Sequence, residues 1–120
     1  MEFFNLHTHR YTANTSILEL VNQYPWEFDA AIPNYSIGIH PWYIDENRLA
    51  NDLQIIDEKL SDPNCLALGE CGMDKRIEIP LVLQQKVFVQ QILLAEKHQK
   101  PLVLHCVAAF QEVIALKKEL

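Results

Sequence analysis

The chain has 120 residues, 49% hydrophobic and 22% charged, the composition of one globular domain with enough mass to bury a real core. Its formal charge of -6 and pI near 5.2 argue against a broad basic nucleic-acid surface. They leave open an enzyme that meets phosphate through a metal, because the metal supplies local positive charge.

No apolar run approaches the ~20 residues that span a bilayer, and no basic segment followed by an apolar stretch opens the sequence as a signal peptide would. The three cysteines, Cys65, Cys71 and Cys106, lack CxxC spacing. They read as reduced thiols of a cytoplasmic protein without structural zinc.

In chain order, residues 2–9 predict a strand. Side chains alternate along it, with Phe4 and Leu6 on one face and Phe3, Asn5, His7 and His9 on the other. Two imidazoles on one strand face can chelate a divalent metal. The plainer reading of an isolated His-x-His is two exposed polar residues at a strand end.

Residues 16–23 fit a short helix or a strand, and eight residues do not let periodicity decide. Pro25 and Pro33 punctuate an irregular link. Residues 35–40 predict a strand ended by Pro41. Tyr35, Ile37 and Ile39 share one face; Ser36, Gly38 and His40 share the other, small groups followed by a histidine. That pattern suits a crowded interior opening at its end.

Residues 48–60 predict a helix through Leu49, Leu53, Ile56 and Leu60, stopped by Ser61-Asp62-Pro63-Asn64. Residues 65–70 predict a strand with Leu66, Leu68 and Glu70 on one face. Residues 80–98 predict the longest helix, with Pro80 in its first turn and an apolar stripe of Leu81, Phe88, Ile92 and Ala95. Residues 101–105 predict a buried strand, and 109–120 begin another amphipathic helix.

Strands alternating with helix-length segments indicate βα units and a parallel sheet. His9, Glu70 and His105 each end a strand, and His40 ends a fourth. In a parallel sheet these ends lie on one side, where α/β folds place their chemistry.

Each residue also has a structural reading of its own. Glu70, flanked by Gly69 and Gly72, can bridge cations or serve as a solvated loop carboxylate or cap. His105 can be a ligand or a core histidine satisfied by a backbone carbonyl. His98, beside Lys97 and Lys100, reads as a surface residue near a helix terminus. Cys106 points away from His105 toward the packed helices.

A binuclear site accounts for the set. His7 and His9 hold one metal, Glu70 bridges and is the catalytic carboxylate, and His105 helps hold the second. Metals roughly 3.5–4 Å apart lower the pKa of a shared water and stabilise a developing oxyanion, which describes hydrolysis. Arg10, His40 or Asp74 would position the substrate, with Arg10 the natural phosphate contact.

At Asn5-Leu6-His7-Thr8-His9, Ser36-Ile37-Gly38-Ile39-His40-Pro41-Trp42, Ala67-Leu68-Gly69-Glu70-Cys71-Gly72-Met73-Asp74 and Pro101-Leu102-Val103-Leu104-His105-Cys106, the sequence resembles the TatD family of metal-dependent hydrolases, in the amidohydrolase-like barrel group. Gln85, Phe88 and Ala95 match its helix before the last of these strands. The resemblance covers nearly the whole chain, and the four motifs stand in family order.

It implies a parallel (β/α) TIM-type barrel, two divalent cations (Zn, Mg or Mn) and hydrolysis of phosphodiesters, often in DNA. It also implies that His7 and His9 ligate the first metal, Glu70 bridges and His105 ligates the second. Complete members carry a further histidine and a late aspartate on strands beyond Leu120, and a basic residue where Val107, Ala108 and Ala109 stand here. A barrel of this kind needs about 200 residues or more.

The expectation for residues 1–120 is therefore a single domain forming about half a barrel, with impaired activity. Its last strand would present an unpaired edge that invites self-association or a complementary chain. An amide or ester hydrolase on the same scaffold and a non-catalytic assembly module are the competing readings.

Overall fold

The structure is a computed structural model that describes the backbone of Phe3–Phe4 and residues 20–107. Most of the predicted strand 2–9, the first part of segment 16–23 and the predicted helix 109–120 lie outside the described residues, and with them His7, His9 and Arg10.

The described elements are strands β1 (Phe3–Phe4), β2 (Val21–Gln23) and β3 (Tyr35–Ile37), a 3-10 turn at Pro41–Tyr43, helix α1 (Leu49–Lys59), strand β4 (Cys65–Asp74), helix α2 (Leu81–His98) and strand β5 (Leu102–Val107). The five strands form one sheet in the order β1-β5-β4-β3-β2, and every pairing is parallel. The fold is α/β, a partial parallel barrel. The ambiguous segment 16–23 contributes a strand at Val21–Gln23. The expected open edge of β5 is covered by β1 at Leu102 and Val103.

The core fills the space between the sheet and the two helices. Tyr35, Ile37 and Ile39 from the β3 segment meet Ile56 and Leu60 of the α1 segment and Val87, Phe88, Ile92 and Ala95 of α2. The i, i+3, i+4 spacing gives α2 this buried stripe. Two glutamines, Gln84 and Gln91, sit inside it at 1% exposure each.

Strand β4 departs from simple alternation twice. Its register against β3 skips Leu66, since Tyr35 pairs with Cys65 and Ser36 with Ala67. Its register against β5 skips Glu70, since Gly69 pairs with Val103 and Cys71 with Leu104. Each bulge inserts one residue and reverses which face the next side chain takes.

The predicted shared face of Leu66, Leu68 and Glu70 is therefore broken. Leu66 is exposed, Leu68 packs in the core with Cys71 and Met73, and Glu70 turns the other way. From Glu70 onward, Glu70, Gly72 and Asp74 share the face opposite to Cys71 and Met73. On β5, Leu102, Leu104 and Cys106 pack with the core, leaving His105 on the same side as Glu70.

Candidate metal centre

His40, Glu70 and His105 come together on one side of the sheet, His40 three residues past β3, Glu70 midway along β4 and His105 inside β5, each offering a ligand-type atom within 4.8 Å of the others. His40 Nε2 lies 3.2 Å and His105 Nδ1 3.0 Å from Glu70 Oε1. The two imidazole centroids are 4.4 Å apart. Glu70 and His40 are 3% and 5% exposed, so the cluster is nearly withdrawn from water.

A buried carboxylate needs fixed donors. Glu70 is held from its backbone as well, where its N–H donates to Asn22 Oδ1 at 2.6 Å, and the Ser36 hydroxyl donates to the same oxygen at 3.1 Å. Asn22 is on β2 and Ser36 on β3, so two neighbouring strands fix the backbone that carries the carboxylate.

His40 caps the 3-10 turn. Its Nδ1 accepts from Trp42 N–H at 3.1 Å. A neutral imidazole carries one proton, so an accepting Nδ1 places the N–H on Nε2, aimed at Glu70. This tautomer donates to the carboxylate and has no lone pair at Nε2 to offer a cation.

His105 differs. Its Nε2 is 3.0 Å from Asp74 Oδ2, and its Nδ1 faces Glu70. A proton on Nε2 shared with Asp74 leaves Nδ1 as a lone-pair donor beside the Glu70 carboxylate, the arrangement in which an outer carboxylate fixes a ligating histidine. The neighbour of His105 across the pairing is Gly72. A Cβ on Gly72 would strike the His105 carbonyl oxygen, and its φ of +143° is one that side chains rarely adopt.

The expected substrate contact Asp74 is fully buried. Its carboxylate accepts from Trp42 Nε1 at 2.8 Å, from Arg76 N and Nε at 2.9 and 3.1 Å, and from Arg76 Nη2 at 3.0 Å, besides facing His105. Arg76 above all, then His105 and Trp42, hold its pKa well below the usual carboxylate range. Its oxygens are saturated by protein groups, leaving no face for a substrate. His40, the other expected substrate contact in the described part, stands against Glu70 instead.

The backbone under the cluster is held by α2. Gln91 Oε1 accepts from Ile39 N–H at 2.8 Å and its Nε2 donates to Ile39 O at 3.2 Å. Gln84 makes the same bracket with Asp74, at 2.7 and 3.1 Å, and also donates to Ile79 O at 2.7 Å. Gln85, which matched the family by sequence, is exposed; its neighbour Gln84 reaches the site.

Asn22, Gln84 and Gln91 were missed by pattern reading, although a glutamine repeated seven residues apart inside an apolar stripe was a visible signal. His98, expected at the surface, is 15% exposed and lies 2.6 Å from Asp57 of α1.

The donor set among the described residues fits a divalent cation. Glu70 supplies hard anionic oxygen and His105 an oriented imidazole nitrogen, a mixed O/N set that suits Zn, Mn or Mg with added water.

The sequence profile of TatD related DNase matches residues 2–120. The chain is 33% identical over 111 residues to the 3'-5' ssDNA/RNA exonuclease TatD of Edwardsiella piscicida, covering 88% of this chain and 38% of that protein. It is 30% identical over 107 residues to the uncharacterized metal-dependent hydrolase YabD of Bacillus subtilis, covering 88% and 39%. It is 35% identical over 89 residues to the human 3'-5' RNA nuclease TATDN2, covering 70% and 11%.

The crystal structure of the TatD homologue YJJV from Escherichia coli superposes with a TM-score of 0.69 at 20% identity, over 83% of this chain and 43% of that one. This chain thus spans about two-fifths or less of the relatives it matches. It belongs to the TatD related DNase family.

Proposed function

We propose that this chain carries part of the active site of a metal-dependent hydrolase that cleaves phosphodiester bonds of single-stranded DNA or RNA. The observation that carries this reading is the convergence of Glu70 and His105, with His40 behind them, on adjacent parallel strands. Relatives named as ssDNA/RNA exonuclease and RNA nuclease support the substrate class.

In this reading Glu70 and His105 would hold a divalent cation, and His7 and His9 would hold a second. When bound, the metal supplies the Lewis acid that polarises the phosphodiester and lowers the pKa of a water. His40 donates to Glu70 and fixes its carboxylate. Asp74 holds the His105 ring and its tautomer and does not touch substrate, and Arg10 contacts phosphate.

End-labelled single-stranded DNA and RNA oligomers test the reading in the presence of Mg, Mn or Zn. Shortening from the 3' end is expected, abolished by chelator and by Glu70→Gln. Shortening at an unchanged rate with Glu70→Gln would overturn it. Turnover of an amide or ester with the oligomers intact would move the activity to the other electrophile on the same scaffold.

A further inference from the structure

Beside the metal centre lies a second feature that the hydrolytic reading does not use, a cavity of about 370 Å³ lined by Tyr24, Trp26, Glu27, Tyr43, Asp45 and Arg48. We infer that this pocket is a subsite for one unstacked nucleobase of a single strand whose backbone lies at the metal centre. The inference rests on the phosphodiesterase reading above and extends it to how the strand is held.

The walls are aromatic. Tyr24 and Trp26 are stacked, with centroids 4.9 Å apart and planes 8° from parallel. Tyr43 meets both edge-on at 5.6 and 6.3 Å. Every base has a π face, so rings of this kind bind bases with little regard to sequence.

The rings are preorganised. Arg48 lies 4.1 Å over the Trp26 ring while its Nη2 donates to Tyr43 O at 2.8 Å and its Nε to Asp52 at 2.9 Å. Gln23 brackets the backbone of Asp29 from both ends and closes the loop that carries Tyr24 and Trp26.

The charges choose the part of a nucleotide that enters. Arg48 is already engaged by Asp52 and Asp45. Two carboxylates, Glu27 and Asp45, stand on the lining and repel a phosphate. A carboxylate does accept from the exocyclic amine of a base such as cytosine. The pocket therefore suits an amino-bearing base and excludes the backbone.

It is also continuous with the metal centre. The Tyr43 ring is 5.4 Å from the His40 ring. Tyr24 follows two residues after Asn22, the residue that holds the Glu70 backbone. A base that enters the cavity against Tyr43 and the edge of the Tyr24–Trp26 pair must leave its stack, which a single strand permits at low cost and a duplex does not.

Anisotropy of a labelled dC hexanucleotide with phosphorothioate linkages, in Mg, tests the subsite against a series in which each base in turn is replaced by an abasic unit. One position is expected to weaken binding about 5- to 100-fold. Trp26→Ala is expected to weaken the intact oligomer by a similar factor and to erase the penalty of the abasic unit at that position. A protein that merely misfolds loses all oligomers alike, and Tyr43→Ala, at a half-exposed ring, carries the same comparison if Trp26→Ala does not fold.

A flat abasic series, or an undiminished abasic penalty in both variants, overturns the subsite. Hydrolysis of bis(p-nitrophenyl) phosphate by the unmodified protein, which has no base to bind, separates the two readings. Its absence would sink the phosphodiesterase reading whatever the abasic series shows, whereas a flat series with that turnover intact removes the subsite alone.

Discussion

The Gln84 side chain brackets the backbone of Asp74 from both sides: Asp74 N–H donates to Gln84 Oε1 at 2.7 Å, and Gln84 Nε2 donates to Asp74 O at 3.1 Å. Gln84 is 1% exposed, so water does not replace it readily. Gln84→Leu leaves a buried donor and a buried acceptor unsatisfied, at about 1–3 kcal/mol each with imperfect additivity. A loss of about 3 kcal/mol in urea unfolding is expected, with weaker metal binding because Asp74 orients His105. A variant that unfolds at the unmodified midpoint would show that the bracket contributes nothing.

The two histidines of the cluster should respond differently to metal. Trp42 N–H fixes His40 Nδ1 as an acceptor, so His40 is expected to remain the Nε2–H tautomer in nitrogen-detected NMR before and after zinc is added. His105 should lose its Nδ1 lone pair to the cation. His40→Ala is expected to weaken metal binding about 10- to 100-fold, as loss of an outer partner does. Glu70→Gln should weaken it further. Deprotonation of His40 Nε2 on metal addition would make it a ligand and end this assignment.

Glu70 and His105 stood out in the sequence because each follows an apolar run in a parallel arrangement, although the strands do not end there: β4 runs on to Asp74 and β5 to Val107. The helices were legible because α1 and α2 each carry several turns of apolar spacing. Which face each β4 residue takes was not. The bulges at Leu66 and Glu70 reverse the alternation twice, and a bulge is a property of two paired backbones rather than of one strand's pattern. The role of Asp74 was equally hidden, since it depends on Trp42, Arg76 and His105 arriving from three separate segments. The roles of Gln84 and Gln91 were hidden as well, since they depend on the backbone groups of Asp74 and Ile39 lying opposite them.

Thiol chemistry should divide the cysteines. Burial pushes the Cys65 thiol up to about 11 and raises Cys71 as well, while Cys106 is only partly buried. At pH 8 a thiol with that value is ionised in roughly one molecule in a thousand. Iodoacetamide at pH 8 is expected to label Cys106 first, with Cys65 and Cys71 labelled after denaturant, as peptide mass mapping would reveal. Early labelling of Cys71 would contradict its place in the core.

Gly38 faces the metal-centre side of β3 two residues before His40. A Cβ there would lie 2.8 Å from Gly69 Cα and 2.9 Å from Gly69 N, backbone atoms that cannot move aside without shifting β4. Gly38→Ala is expected to cost about 1–3 kcal/mol by overpacking. It should also separate His40 from Glu70, so calorimetric metal affinity should fall together with stability. Full metal affinity in a destabilised protein would mean that β4 moves as a unit and carries the cluster with it.

Asp57 ties α1 to the end of α2. Its Oδ1 is 2.6 Å from His98 Nε2, and Lys97 Nζ lies 3.1 Å from both oxygens. The His98 hydrogen bond first and Lys97 second lower its pKa from the ordinary 3.8. Above that value the carboxylate is charged in both folded and unfolded chains, and the whole contribution to stability is present. As pH falls through it, the unfolded chain takes the proton first, so the contribution shrinks and is gone below the folded value. The carboxylate is 36% exposed, so solvent screening limits the effect to a few tenths of a kcal/mol, or about 1–3 °C in Tm. Asp57→Asn is therefore expected to melt slightly below the unmodified protein at pH 7 and together with it near pH 2, measured by circular dichroism without metal. A gap that widened on acidification would have the wrong sign for a lowered carboxylate and would remove Asp57 as the link between the helices.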